Sequence, residues 1–392
     1  MSIFDQKIDR TGMSTMKWES EIERTGKDDL LCYGTADMDF LSPQPILDAI
    51  HQVANIGHMG YPYIKQSYYE AIINWMKRHA KWEIQKEWIS NNVGIWPASW
   101  TIIDALTEPG DEIIFQTPAH FCFDVVTRES KRIVVVNPLI QKDGYYMMDF
   151  EGLERCITEK TKVFWLCNPH NPVGRAWNRD ELEKISNICL AHDIKIISDD
   201  VYCGLLYPGT QYTPIATISK ETSMNTITCY STSKTYNTTG DKHSYVVCEN
   251  PEILQAYNQS LKKQNLEYGV NIFGLAITEA AYNHCDQWVN DLMKHIQSNY
   301  LLVKETVEEK MPSVKLTKAE ATYFAWLDFS ELKISRDQLE NFFENDANVS
   351  VGMGYKFLEG GEGFIRLNMA CSRDTLQSGL DRITYAYKKI VL

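Results

Sequence analysis

Asn225-Thr226-Ile227-Thr228-Cys229-Tyr230-Ser231-Thr232-Ser233-Lys234-Thr235-Tyr236-Asn237 changes character halfway along. Its first half is β-branched and apolar, which predicts a short buried strand over 226–230. The hydroxyl cluster Ser231, Thr232 and Ser233 ends that strand, and Lys234 stands just past the end, with Gly240 soon after. A lysine on so rigid a support acts as an amine nucleophile when burial or neighbouring charges lower its pKa. Most loop lysines are merely solvated, so what surrounds Lys234 in the rest of the chain decides between the two uses.

Outward from this stretch, strand-like runs at 112–115, 133–136, 163–166, 195–198 and 245–248 alternate with helical spacing, as at 179–191. That alternation predicts an α/β fold with a mainly parallel sheet covered on both faces. Ligands of such sheets collect at the carboxyl ends of the strands. Three predicted strand ends carry chemistry: Asp199 after 195–198, Asn168 to Gly174 with Asn171 after 163–166, and Lys234 after 226–230. A carboxylate, an amide and an amine therefore face one crevice. Gly94 leads into a helix ending near 106, with Pro97 in its first turn, so the amides of Ile95 and Trp96 are free for an anion. Earlier, residues 1–45 read as irregular, 45–54 and 66–80 as helices, and Gly57, Gly60 and Pro62 punctuate a turn. Long helices are expected over 251–307 and a smaller mixed unit beyond 314; the glycine pairs at 352–354 and 360–363 read as turns.

Composition removes other classes of function. The 392 residues are 44% hydrophobic and 23% charged, ordinary for a globular protein. A formal net charge of −13 argues against nucleic-acid or anionic-membrane binding. No basic start with an apolar run suggests a leader, and no stretch suggests a membrane span, so a cytoplasmic protein is expected. Ten scattered cysteines without paired spacing suit reduced thiols, and no metal-ligand spacing is present. Neither H-E-x-x-H nor a phosphate-binding G-x-x-x-x-G-K occurs.

Taken together, these residues resemble those of the fold-type I pyridoxal-phosphate enzymes, in the aspartate-aminotransferase superfamily, closest to the MalY/PatB cystathionine β-lyase group. The resemblance rests on Ile8-Asp9-Arg10, Ala36-Asp37-Met38-Asp39-Phe40, Gly60-Tyr61, Thr107 to Asp111, Gln116-Thr117-Pro118, Ser233-Lys234-Thr235 with Asn237, and Gly361 to Asn368. It implies an aspartate-aminotransferase-like large domain at 46–285 with a seven-stranded, mainly parallel sheet. A smaller α+β domain would come from 1–45 and 286–392. It implies pyridoxal 5'-phosphate as cofactor, with Lys234 binding it covalently and afterwards taking the substrate Cα proton. Asp199 would pair with the ring nitrogen, with Asp200 left to structure; helix capping is the competing use of such aspartates. Asn171 would bind the ring's phenolic oxygen. Gly94, Ile95, Trp96, Ser231, Ser233 and Lys242 would hold the phosphate. Arg366, with Ala36 nearby, would hold the substrate carboxylate. Tyr61 would reach the phosphate of a neighbouring subunit, making the enzyme a homodimer with shared active sites acting on a small amino acid.

Three positions depart from that group. His120 stands where a tyrosine stacks on the ring, and a neutral imidazole is expected there, since an imidazolium would repel the pyridinium. Asp199-Asp200-Val201-Tyr202 replaces Asp-Glu-Ile-His, and Tyr202 matches an aminotransferase tyrosine that binds the ring oxygen. The run Thr238 to Lys242 is more polar than in the lyases. The expected reaction is α,β-elimination from cystathionine or cysteine S-conjugates to pyruvate, ammonia and a thiol; transamination of a related amino acid is the alternative.

Overall fold

The computed structural model describes residues 3–10, 12–267 and 269–391. Seven strands form the central sheet in the order Ile89–Asn92, Ser244–Val247, Thr226–Tyr230, Lys195–Asp199, Thr161–Cys167, Glu112–Thr117 and Ile133–Pro138. Ser244–Val247 is antiparallel to both neighbours and the remaining pairs are parallel. Successive residues point to opposite faces and both faces are covered, so Thr226–Tyr230 is buried along its whole length, Thr226 and Thr228 included. Ile113, Phe115, Val163, Trp165 and Ile197 pack under the helices Ile95–Leu106, Cys122–Glu129 and Pro251–Lys263. Ile114, Phe164, Leu166 and Ile196 face the other way, toward Leu182, Ile185 and Cys189 of helix Arg179–Ala191. That helix starts at a reciprocal cap: Asn178 accepts from the Glu181 amide and Glu181 accepts from the Asn178 amide.

A second, antiparallel sheet runs Lys315–Leu316, Phe324–Asp328, Phe364–Asn368, Gly352–Met353. Gly352, expected in a turn, is a strand residue. A Cβ there would lie 3.3 Å from the Arg366 Cβ, so glycine lets the two strands close up. Near the chain start, Leu31–Cys32 pairs in parallel with Val349–Ser350. The expected helical region 251–307 is three helices, Pro251–Lys263, Ile272–His284 and Asp286–Lys310; Asn265, at φ 57°, lies in the first break.

Residues 317–323 strap the second sheet to the first. Five backbone hydrogen bonds cross: Lys318 N to Gly144 O, Glu320 N and Ala321 N to Gly174 O, Thr322 N to Leu205 O, and Tyr207 N to Glu320 O. Gly174 sits at φ 73°, and a Cβ on it would come within 2.7 Å of the Ala319 Cβ. The buried Arg175 guanidinium donates to Glu320 at 2.8 Å and Glu181 at 2.9 Å, between the rings of Tyr145 and Trp177. Removing one partner of such a buried pair costs about 3–5 kcal/mol.

Candidate active site

Four adjacent parallel strands end together, bringing Asp199 at the end of one and His120, Asn171 and Lys234 on the loops after the others to one crevice. Lys234 lies on the turn after Thr226–Tyr230. Its Nζ donates to the Ala36 carbonyl at 2.9 Å and forms no ion pair among the described residues. Burial lowers its pKa to about 8, Arg366 and Lys242 push the same way, and Asp37 and Asp199 oppose them. Such an amine reaches half neutralisation near pH 8, far below an ordinary lysine.

Asp199 closes strand Lys195–Asp199, and the Val201 amide donates to it at 3.3 Å. Burial raises its pKa to about 6, so it is ionised at neutral pH. Asp200 points away, accepting from the hydroxyls of Ser198 and Tyr212. Arg366, on Phe364–Asn368, is 5% exposed; its Nη1 donates to Asn171 Oδ1 at 3.0 Å and its Nη2 to the Gly34 carbonyl at 2.9 Å. Its guanidinium lies 4.0 Å from the Phe324 ring centre and 4.8 Å from that of Phe357. The Nε–H is buried without an acceptor among the described residues, a donor ready for an anion. Tyr202 is buried edge-on to Tyr323 and Phe324.

The anion cradle differs from expectation at two positions. The Gly94 amide is taken by Ser244 Oγ at 3.1 Å, and Ser231 Oγ donates to the His243 carbonyl at 2.7 Å while accepting from the Ser233 amide. Both groups satisfy backbone at strand ends, where buried polar atoms need partners. The donors left are the amides of Ile95 and Trp96, the half-buried Ser233 hydroxyl, and the exposed Lys242, whose charge is felt at Lys234. Gly94, at φ 136°, makes the entry into the helix that only glycine adopts easily. Tyr61 is 97% exposed and lies outside the crevice of its own chain.

His120 rests tilted on Phe121, with ring centres 4.5 Å apart, and edge-on to Trp96 at 6.1 Å. Burial, then Arg366 and Lys234, push its pKa down to about 3, so the ring is neutral. His120→Phe is therefore expected to leave the acidic limb of the kcat/KM pH profile where it stands in the parent; a displaced limb would assign it to His120.

Three further residues shape the crevice. Tyr323 donates to the Ala36 carbonyl at 3.0 Å, beside Lys234. Asn237 accepts from the Met38 amide at 2.9 Å and donates to the carbonyls of Met38 and Phe40 at 3.1 and 2.8 Å. Asn368 donates to the carbonyls of Thr35 and Asp37 at 2.7 and 2.6 Å. Asn237 and Asn368 stand within motifs quoted above, whereas Tyr323 reads in sequence as an ordinary core residue at a strand start.

Cystathionine beta-lyase PatB of Bacillus subtilis (strain 168) is 35% identical over 384 residues, 98% of this chain and 99% of that protein. Cystalysin from Treponema denticola, whose crystal structure contains pyridoxal 5'-phosphate, superposes with a TM-score of 0.95 at 31% identity, covering 98% of both chains. The pyridoxal-phosphate-bound C-S lyase from Staphylococcus hominis gives a TM-score of 0.91 at 28% identity, over 98% of this chain and 97% of that one. The sequence pattern described as aminotransferase class I and II matches residues 30–383, and the chain belongs to that family.

Proposed function

We propose that the chain is a pyridoxal-phosphate-dependent carbon–sulfur β-lyase, cleaving cystathionine or cysteine S-conjugates to pyruvate, ammonia and a thiol. The observation that carries this reading is the half-buried Lys234 amine, on the Ala36 carbonyl and within the charge field of Arg366 and Asp199, in a chain so similar to PatB and cystalysin. The residues fit the cofactor: an amine to bind it and, among the described residues, a buried carboxylate without an ion pair, an Arg366 Nε–H without an acceptor, and free amides at Ile95 and Trp96. When bound, its protonated ring takes up the electron pair released at Cα.

The protein's own part follows from position. Asp199, ionised, keeps a cationic partner charged. Arg366 fixes the substrate carboxylate with its remaining N–H groups, a planar match to that anion. Lys234 Nζ, about half unprotonated near pH 8, holds the proton removed from Cα, with the Ala36 carbonyl ready to accept from the resulting ammonium. The Cβ–S bond then breaks and the thiolate leaves. Purified protein given cystathionine, with no keto acid added, is expected to release pyruvate and free thiol. Turnover that requires an added keto acid would reject the lyase in favour of transamination.

A homodimer with shared sites accounts for Tyr61. Ile56, Met59, Tyr61 and Tyr63 are 57–97% exposed on one short segment, an apolar strip suited to a second copy. Mixing Lys234→Ala chains with Tyr61→Ala chains is expected to restore turnover above that of either alone, because one site of each mixed dimer keeps both residues. No gain on mixing would reject sharing. A large cofactor-binding domain at 46–285 and a small one from 1–45 and 286–392 agree with the pairing of Leu31–Cys32 to Val349–Ser350. All ten cysteines are free, which supports a cytoplasmic setting. No helix among the described residues is long and apolar enough to cross a membrane.

A further inference from the structure

Of the Ile8-Asp9-Arg10 and Ala36 to Phe40 motifs only Ala36 has a part in the reaction described so far, yet the structure joins the two. Arg10 grips Asp37 with both ends of its fork, at 3.1 and 3.0 Å, and donates to Asp39 at 2.6 Å. Behind it, the wholly buried Lys17 donates to Asp39 Oδ2 at 3.0 Å and to the Asp37 carbonyl at 3.2 Å, and Trp18 donates to Asp39 Oδ1 at 2.9 Å. Asp37 directly follows Ala36, whose carbonyl is the hydrogen-bond partner of the Lys234 amine. The loop is pinned from the opposite side by Asn237, three residues after Lys234, and by Asn368.

We propose that Arg10, backed by Lys17, is a positioning residue for Lys234: its ion pair with Asp37 holds the Ala36 carbonyl on the amine and offsets the Asp37 charge there. The proposal rests on the reading of Lys234 given above. Arg366 and Lys242 face the amine as cations, Asp199 as an anion, and His120 and Tyr323 as neutral groups. Asp37 is a second anion in that set and favours the ammonium. Arg10, paired to it at 3.0 Å, offsets part of that charge. Without Arg10, a half-buried carboxylate beside Ala36 is left undercompensated, and opposite charges at short range favour each other's ionised form. The N-terminal segment thereby keeps Lys234 available as a free base near neutral pH.

The test reads the amine directly. The full-length chain, cleared of cofactor, is trace-labelled with acetic anhydride across neutral to strongly alkaline pH, and labelling of the Lys234 peptide is quantified. Arg10→Gln is expected to raise the midpoint by about 1 pH unit. Asp37→Asn is expected to lower it, the double variant to return it toward the parent, and Arg10→Lys to stay near the parent. A folded Arg10→Gln whose midpoint is unmoved, even with a lowered Tm, overturns the proposal, since a purely structural clamp would behave that way. If Arg10→Gln does not fold, an unmoved midpoint in Asp37→Asn overturns it alone. Failure of the cofactor reading would show separately, as no visible absorbance band on the parent protein with pyridoxal phosphate added.

Discussion

Replacing Lys234 by alanine is expected to abolish both covalent capture of pyridoxal phosphate and turnover. The side chain supplies two functions at once. As a nucleophile it needs an unprotonated amine, and burial beside Arg366 provides one by holding its pKa near 8. As a base it stands on a rigid turn at the end of Thr226–Tyr230, where its Nζ is already aimed by the Ala36 carbonyl at 2.9 Å. A positioned base alone contributes about 10²–10⁴-fold, so losing it together with the covalent link should cost at least about 10⁴-fold in kcat/KM. Borohydride reduction of the parent followed by peptide mapping should place the label on Lys234. A label found on another lysine, or turnover surviving in Lys234→Ala, would remove the foundation of the proposed chemistry. The pH profile carries the same sign: protonation disables the amine, so the rate should fall as pH drops below about 8.

Arg366→Ala is expected to raise KM for an amino-acid substrate steeply. The guanidinium is sandwiched by Phe324 and Phe357, fixed at Nη1 by Asn171 and at Nη2 by Gly34, and left with its Nε–H unpaired. It is therefore oriented before any carboxylate arrives, and little side-chain entropy is lost on binding. Truncating one member of a buried charge-assisted contact costs about 2–5 kcal/mol, roughly 30- to 5000-fold. Arg366→Lys keeps the charge but loses the fork and the stacking, so it should recover only part of the loss. Burial also lowers the Arg366 pKa, and an anion seated on it relieves that penalty. An unchanged KM in Arg366→Ala, measured by titrating cystathionine, would place the carboxylate elsewhere.

Lys234, Asp199 and Asn171 were legible because each follows a strand apolar enough to be recognised, and because strand ends in such sheets gather ligands. What depends on distant partners was not. The Gly94 amide donates to Ser244, 150 positions on, and Ser231 donates to the His243 carbonyl, partners that the family resemblance behind their phosphate roles does not show. Tyr323 reaches the Ala36 carbonyl across 287 positions, and nothing in Thr322-Tyr323-Phe324 separates it from core. Ile89–Asn92 was missed as a strand because Ile-Ser-Asn-Asn carries no alternation; its place comes from pairing with Ser244–Val247. Gly352, read as a turn, belongs to a strand because Arg366 needs the space beside it.

The strap at 317–323 bears on how this enzyme would choose its substrate. Five main-chain bonds and the Arg175–Glu320 contact would have to be undone before the two sheets could swing apart along that seam. Selection there works like a casting mould, by the outline already set, and not like a jaw that tightens on whatever enters. Trp96 and Phe121, which lie against His120, meet solvent and leave the crevice its room for a bulky leaving group.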